Sequence, residues 1–119
     1  MIRQMTQPHS MDEKRRFERV DIGPEAQIMV LDVEGKKAGV LRQLARGGFS
    51  MTPENPYPRD NTIYDFTIYE PAEDIRIRIS ARIRSSDEQM AGFEFVDLDV
   101  KSAVDIGIII GKYYEHNKA

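Results

Sequence analysis

The chain has 119 residues, of which 40% are hydrophobic and 31% are charged, and this balance excludes a disordered chain and fits one folded domain. The formal net charge of −3 excludes an overall positive field, so a site for an anion has to come from a local cluster of Lys and Arg. The absence of cysteine excludes disulfides, thiolate nucleophiles and thiolate metal sites.

The N-terminal half predicts a tail and three strands. Residues 1–12 are polar and aperiodic, which is typical of a flexible tail. Residues 26–33 alternate as a strand and end at a turn over residues 34–36, after which residues 38–44 return as a second strand. Gly47 and Gly48 indicate a bend before a short strand over residues 49–52.

The C-terminal half predicts three further strands and a helix. Residues 62–69 form one strand, a second alternates from Ile75 to Ile83, and residues 90–96 form the last. Asp97 or Asp99 is expected to cap a helix that begins near Val100. Three-and-four spacing predicts a helix face that packs on the sheet, made of Ala103, Ile106, Gly107, Ile110 and Tyr113, with Lys101, Asp105 and Lys112 in solvent.

Six short antiparallel strands followed by one helix predict a mainly β protein, a small closed β-barrel with a C-terminal α-helix. We expect the domain to occupy residues 13–115, followed by a C-terminal tail over residues 116–119. The sequence contains no apolar stretch near the roughly 20 residues of a membrane span and no signal peptide. A soluble, cytoplasmic protein is therefore expected.

A basic cluster precedes the first strand and consists of Lys14, Arg15, Arg16 and Arg19. Such a run is ordinary for a solvated surface. The planar fork of arginine also binds phosphate oxygens, or O6 and N7 of guanine, through two parallel hydrogen bonds. The cluster therefore fits either a solvated surface or a site for a phosphate-linked guanine dinucleotide.

Two motifs in the chain resemble those of the bacterial PilZ domain family. Arg15 and Arg19 match the family's RxxxR motif, and residues 43–48 partly match its second motif, D/N-x-S-x-x-G, with Gly48 at the glycine. Residues 91–95 and the closing helix resemble the family's last strand and terminus, so the resemblance covers residues 14–113. It implies a noncatalytic signalling module that binds the second messenger cyclic di-GMP and needs no cofactor. The expected ligand contacts are Arg15, Arg19, Gln43 and Gly48, with further phosphate contacts from Lys14, Arg16 and Arg46.

The second motif departs from the family pattern at two positions. Gln43 replaces the Asp or Asn, and Ala45 replaces the serine, whose side chains in the family help to hold the guanine base. Loss of a charge-assisted hydrogen bond costs about 1.5–3 kcal/mol and loss of a neutral one about 1 kcal/mol. Two functions therefore stay open: a cyclic di-GMP receptor that signals to an unidentified protein partner, or a degenerate PilZ domain that acts only as a protein-interaction adaptor.

Other features have both a structural and a functional interpretation. Four arginines of the Ile75 strand project from one face, either as a solvated face balanced by Asp65 or Glu94 or as a docking surface for an acidic partner. No aromatic residues alternate with them, so nucleic acid is not expected. Gly107 and Gly111 fit close packing on the barrel or a homodimer face, which leaves the oligomeric state open. His9 and His116 have no partner at metal spacing, and no nucleophile or acid–base pair is evident, so neither a metal site nor an enzyme is expected.

Overall fold

The computed structural model describes residues 19–118, and it describes side chains as far as Tyr114. The predicted tail over residues 1–12 and the residues Lys14, Arg15 and Arg16 lie outside this range. The helix α1 includes residues 116–118, which the sequence assigns to the C-terminal tail. The elements are β1 Arg19–Asp21, β2 Met29–Leu31, β3 Lys37–Ala45, β4 Gly48–Pro53, β5 Ile63–Glu70, β6 Ile75–Ser86, β7 Ala91–Phe95 and α1 Val100–Lys118.

Six antiparallel strands close into a barrel in the cyclic order β2-β3-β4-β7-β6-β5, because β3 pairs with β4 in addition to its other neighbours. The long strand β3 makes this possible: its first residues pair with β2, its last residues pair with β1, and β4 runs along its other edge. The predicted six-stranded barrel with a C-terminal helix is confirmed. The short strand β1 is an addition that the sequence patterns did not predict.

The first predicted strand is shorter than expected. Residues Pro24–Ala26 form a 3-10 turn instead of extended chain, and Gln27 has a left-handed backbone with φ 57°. Proline fixes φ near −65°, which suits the first position of a helical turn, and Gln27 N–H then donates to the Pro24 carbonyl at 3.1 Å. The Asp32 carboxylate ends β2 by accepting hydrogen bonds from the Glu34 and Lys36 amides. Only Met29–Leu31 remains a strand.

The barrel interior is filled by the alternate residues of the long strands, as the sequence predicts. Phe66 and Ile68 on β5, and Ile77, Ile79, Ala81 and Ile83 on β6, are all buried. One end of the core is aromatic: the Phe93 ring stacks on Phe49 with centroids 5.0 Å apart and meets Phe66 edge to face at 5.3 Å. Burial of rings of this size dominates the hydrophobic stabilisation of a small barrel.

The helix begins as predicted, with Asp99 rather than Asp97 as its cap. The Asp99 carboxylate accepts a 2.7 Å hydrogen bond from the Ser102 amide, and this bond lowers the pKa of Asp99 below its ordinary value. The buried face consists of Ser102, Ile106, Ile109 and Ile110, so the prediction missed Ser102 and Ile109, whereas the predicted Ala103, Gly107 and Tyr113 are only half-buried. Within residues 19–118, no helix has the length and apolar content needed to cross a bilayer.

Lys112 was expected in solvent, and its side chain is 34% exposed, but the sequence did not predict that it pairs with a buried carboxylate. Its ammonium lies 3.4 Å from Glu70 Oε2, and Glu70 at the end of β5 is fully buried. The same carboxylate accepts hydrogen bonds from the backbone amides of Ala72 and Glu73. A buried carboxylate requires such partners, so Glu70 holds the β5–β6 turn and fastens the helix to it through Lys112.

Substitution Lys112→Met tests this ion pair. We expect the free energy of unfolding at pH 7 to fall by about 1–2 kcal/mol, because the buried carboxylate keeps only its amide donors. Burial is the largest single influence and opposes the charge on Lys112, but the neighbouring groups, first of all the Glu70 carboxylate, together outweigh it and raise the pKa of Lys112. A raised pKa stabilises the fold below the unfolded value near 10.5, and this contribution is lost as pH rises through the higher folded value.

The measurement is urea unfolding of both proteins from pH 7 to pH 11.5. Lys101→Met is the matched control, because the ion pair of Lys101 with Asp105 on the same helix is exposed and contributes at most about 0.5 kcal/mol. Equal effects of the two substitutions at pH 7 would contradict a fastening role for Lys112.

Candidate functional site

A groove of about 430 Å³ lies on the outer surface of the barrel, across strands β3, β4, β7 and β6. We call it the β4–β7 groove, because these two strands form its floor. Its lining residues are Arg19, Gln43, Leu44, Ala45, Gly47, Gly48, Phe49, Ser50, Arg84, Ser85, Gly92, Phe93 and Glu94.

The floor of the groove is formed by small side chains. Residues opposite one another on neighbouring strands share a face, and the register places Gln43, Ser50, Gly92 and Ser85 in one outward row. The residues that alternate with them, such as Phe49 and Phe93, point into the core. The groove therefore has a shallow floor that is backed by the aromatic end of the core, which suits a flat ligand.

Two β-bulges flank this floor and determine which side chains line it. On β3, the register shifts between Leu41 and Gln43, so Arg42 and Gln43 both point outward between the buried Leu41 and Leu44. On β6, the register shifts between Ile83 and Ser85, so Arg84 and Ser85 both lie on the outer surface. A bulge adds one residue and redirects the side chains that follow it. Without the first bulge, Gln43 would face the core.

Gly48 has a structural reason to be glycine. A β-carbon at this position would overlap the carbonyl oxygen of Phe93 and lie 3.2 Å from the Cα atom of Glu94 on β7. Gly47, by contrast, has open space around the position of a β-carbon. The close approach of β4 to β7 therefore requires glycine at 48, whereas Gly47 leaves room at the groove.

The charged groups of the groove come from both of its sides. Arg19 on β1 is exposed and lies opposite Ala45, whose small side chain leaves space beside the guanidinium. On the other side, Arg84 Nη1 lies 2.9 Å from Glu94 Oε1, so this cation is already balanced by a carboxylate. Gln43 Nε2 donates a 2.8 Å hydrogen bond to Asp21 Oδ1, because Asp21 lies opposite Gln43.

The structure brings together three of the residues predicted from sequence. Arg19, Gln43 and Gly48 all line the β4–β7 groove, together with the motif position Ala45. The guanidinium of Arg46 instead lies beside the helix, where a β-carbon on Gly107 would be 3.4 Å from Arg46 Nη1. The other predicted contacts, Lys14, Arg15 and Arg16, lie outside the described residues.

Apart from Gly48, sequence reasoning missed the part of the groove that comes from β4, β7 and β6. Ser50 directly follows the second motif in the chain, but nothing marks its hydroxyl, which is buried and has no hydrogen-bond partner within residues 19–118. Ser85 and Gly92 reach the floor through pairing between strands that are distant in sequence. Only the register of the folded barrel identifies them.

Two of the four arginines of β6 interact with side chains within the domain. Arg76 stacks over the Tyr69 ring at 4.3 Å and lies 3.8 Å from Asp74, and Arg84 pairs with Glu94 as one interpretation of the sequence expected. The other expected partner, Asp65, accepts a hydrogen bond from Ser80. The packing interpretation of the helix glycines fails at Gly111, which is exposed and has no atom of the described residues within 4 Å of the position of a β-carbon.

A second hollow, of about 420 Å³, lies where β5 and β6 meet the start of α1. Its lining contains four aspartates, Asp32, Asp65, Asp97 and Asp99, against one arginine, Arg78. This excess of carboxylates repels phosphate groups, so we place the candidate anion site in the β4–β7 groove. The acidic residues form no group arranged to hold a metal ion within the part of the chain that the structure describes.

Comparison with known protein families identifies the family to which this barrel belongs. The family model described as PilZ domain matches residues 13–110. The chain belongs to the PilZ domain family. The resemblance of the chain to this family is thereby confirmed. A search among curated protein sequences gives no significant match.

Solved PilZ structures share the fold at low sequence identity. The PilZ domain of YcgR from Escherichia coli, solved with c-di-GMP, has a TM-score of 0.67 and 11% identity, over 84% of this chain and 91% of that chain. The inhibitor of motility MotI from Bacillus subtilis has a TM-score of 0.66 and 14% identity, over 86% of this chain and 51% of its own. PlzA from Borreliella burgdorferi, solved in complex with c-di-GMP, has a TM-score of 0.50 and 16% identity, over 93% of this chain and 45% of its own. This PilZ domain therefore spans about half the length of MotI and of PlzA.

Substitutions at the adjacent glycines test the close approach of β4 and β7. We expect Gly48→Ala to lower the free energy of unfolding by about 1–3 kcal/mol, because the methyl group forces the Phe93 carbonyl away. Gly47→Ala is the matched control and should change stability by less than about 0.5 kcal/mol. Urea unfolding of both variants measures the difference. A Gly48→Ala variant as stable as the control would show that β4 and β7 can separate without cost.

Proposed function

We propose that this PilZ domain is a noncatalytic receptor module for cyclic di-GMP, and that the ligand lies in the β4–β7 groove. One observation supports this most strongly: the groove brings Arg19 of the first motif beside Gln43, Ala45 and Gly48 of the second. The motifs are separated in sequence and meet only because β1 pairs with the end of β3. The c-di-GMP bound by the YcgR domain and by PlzA supports the choice of ligand.

The ligand's charge determines which residues would hold each part of it. Arginine binds phosphate through two parallel hydrogen bonds, and Arg19 is exposed at the edge of the groove. Arg15 is four residues from Arg19, so the covalent chain alone keeps their Cα atoms within about 14 Å. We assign the two arginines to phosphate and guanine contacts, with Lys14 and Arg16 as further cations. The flat floor near Ser50 and Gly92 would take a base or ribose face.

The proposed signal is a change of the surface that the domain offers to a partner protein in the cytoplasm. Contacts from Arg15 and Arg19 to one ligand would hold the segment before β1 against the barrel. A ligand shifts the equilibrium between a free segment and a segment held against the barrel only by the difference between its affinities for these two states. The arginine contacts would supply this difference, because they form only when the segment is held. The partner would then recognise the domain in which this segment is held against the barrel.

Calorimetric titration with cyclic di-GMP at fixed salt tests the receptor. We expect micromolar or tighter binding by the wild type, and a loss of about 10- to 100-fold with Arg15→Ala or Arg19→Ala, which is the effect of removing one charged hydrogen-bond donor. Arg78→Ala, an exposed arginine at the acidic hollow, is the matched control and should bind like the wild type. Absence of wild-type binding at millimolar ligand would rule the receptor out.

The alternative function, a protein-interaction adaptor without nucleotide, is favoured by the outer face of the helix. Val100, Val104 and Ile108 recur every four residues and are 80%, 56% and 50% exposed. Apolar side chains aligned on one helix face are the usual basis of helix-mediated recognition. This face is separate from the lining of the β4–β7 groove, so both functions can be tested in one protein.

The double substitution Val104→Glu and Ile108→Glu tests the adaptor. We expect it to abolish capture of the partner from cell extract while the melting temperature and the ligand titration stay unchanged, since both side chains are half or more exposed. The pair Arg78→Glu and Arg82→Glu tests the arginines of β6 in the same assay. Capture that survives both double variants would contradict an adaptor that uses either surface.

A further inference from the structure

The helix α1 carries an apolar stripe on the side that faces away from the barrel. Val100, Val104 and Ile108 are at least half exposed, whereas Ser102 and Ile106 are buried against the strands. Successive residues of an α-helix turn by about 100°, so Val104 points almost directly away from these two buried side chains. A second helix can therefore lie along the stripe without meeting the barrel.

Two glycines extend this stripe with the spacing of a helix–helix interface. Val100, Val104, Gly107 and Gly111 follow one another at intervals of four, three and four residues, which is heptad spacing. We call these four residues the α1 seam. Among the described residues, no atom lies within 4 Å of a β-carbon placed on Gly111, and the nearest atom to one placed on Gly107 is Arg46 Nη1, at 3.4 Å. The seam therefore has two projecting valines in its first half and a shallow hollow in its second half.

This arrangement makes the α1 seam complementary to itself. When two copies of α1 pack antiparallel about a two-fold axis that crosses the seam between residues 105 and 106, Val104 of each copy lies opposite Gly107 of the other. Val100 then lies opposite Gly111. The valine side chains fill the space that the glycines leave, and the glycines allow the two helices to approach closely. A parallel pair would place valine against valine and glycine against glycine, which leaves a gap at the glycine end.

The charges at the start of the helix also favour the antiparallel pair. Asp97 and Asp99 are exposed directly before α1. A parallel pair would bring these carboxylates of both copies together, whereas an antiparallel pair separates them by the length of the helix and aligns the two helix dipoles favourably. We infer that α1 forms the interface of an antiparallel, two-fold symmetric homodimer of this domain.

The small size of the contact predicts a weak dimer. The seam spans 11 residue steps, or about 17 Å, and is about one helix, or 10 Å, wide. Stable complexes bury about 800 Å² on each partner, which is more than this contact provides. We therefore expect a dimer that forms at about 0.1–1 mM protein and dissociates on dilution. The adaptor alternative uses the same helix face, but a second copy of α1 is the occupant whose shape and charge match it.

Sedimentation equilibrium of the full chain, from about 10 μM to about 1 mM, tests the dimer. The average mass of the wild type should rise from that of a monomer toward twice that value. Val104→Glu places a charge at the centre of the seam in both copies and should raise the dissociation constant by at least about 10-fold. Val33→Glu is the matched control, because Val33 is an exposed valine in the turn between β2 and β3, and it should associate as the wild type does. Both variants should keep the wild-type melting temperature.

Disulfide cross-linking tests the direction of the pair. The chain has no cysteine, so each single substitution introduces the sole thiol. A mixture of Val100→Cys and Gly111→Cys, one of them tagged, should form a mixed disulfide on oxidation. Val100→Cys alone should not, because its two thiols would lie about 17 Å apart along the axis, whereas a disulfide requires Cα atoms within about 7 Å.

The other outcomes overturn the inference. A wild type that stays monomeric at the highest concentration rules out the homodimer and leaves the helix face to a different protein. Association that Val104→Glu does not weaken shows that another surface pairs. Efficient cross-linking of Val100→Cys with itself shows a parallel pair and contradicts the antiparallel arrangement.

Discussion

The constraint on which the whole domain depends is the pairing of β4 with both β3 and β7. Without β4 the other five strands of the barrel would form an open sheet with two exposed edges, and closure removes both edges. The contact is so close at Gly48 that a side chain would overlap the backbone of β7. The same contact stacks Phe49 on Phe93 inside the barrel. Closure of the barrel, assembly of the aromatic core and formation of the groove floor are thus consequences of one strand pairing.

Much of the fold was predictable from sequence, because the alternation of hydrophobic and polar residues along a strand reflects which side chains are buried. The alternating isoleucines of β6 have one buried face and one exposed face, and this is the clearest strand signal that a sequence can contain. The patterns failed where local geometry opposed them. Pro24 turned the start of the first strand into a helical turn, and β1 has only three residues, with one buried, which is too short for any period to show. The ion pair of Lys112 could not be predicted from the sequence, because Lys112 lies on the helix and its buried partner, Glu70, lies on the distant strand β5.

The candidate site was predictable only in part, for a reason that lies in the two bulges. The motifs identified Arg19, Gln43 and Gly48, but alternation along β3 from Leu41 would have directed Gln43 into the core. A shift of one residue exchanges the two faces of a strand, so the surface that a strand presents beyond a bulge does not follow from its pattern. Ser85 and Gly92 enter the site through this register. They become recognisable only when the strands are paired.

The charges around the groove also determine how a ligand with two phosphates would lie in the proposed complex. The domain's net charge of −3 repels such a ligand, but at physiological salt the repulsion is screened over about 8 Å, so short contacts decide the outcome. Glu94 already balances Arg84, which leaves Arg19 and the cations before it as the phosphate-binding end. In the proposed complex the phosphate groups would therefore lie on the β1 side of the groove, beside Arg19 and away from Glu94.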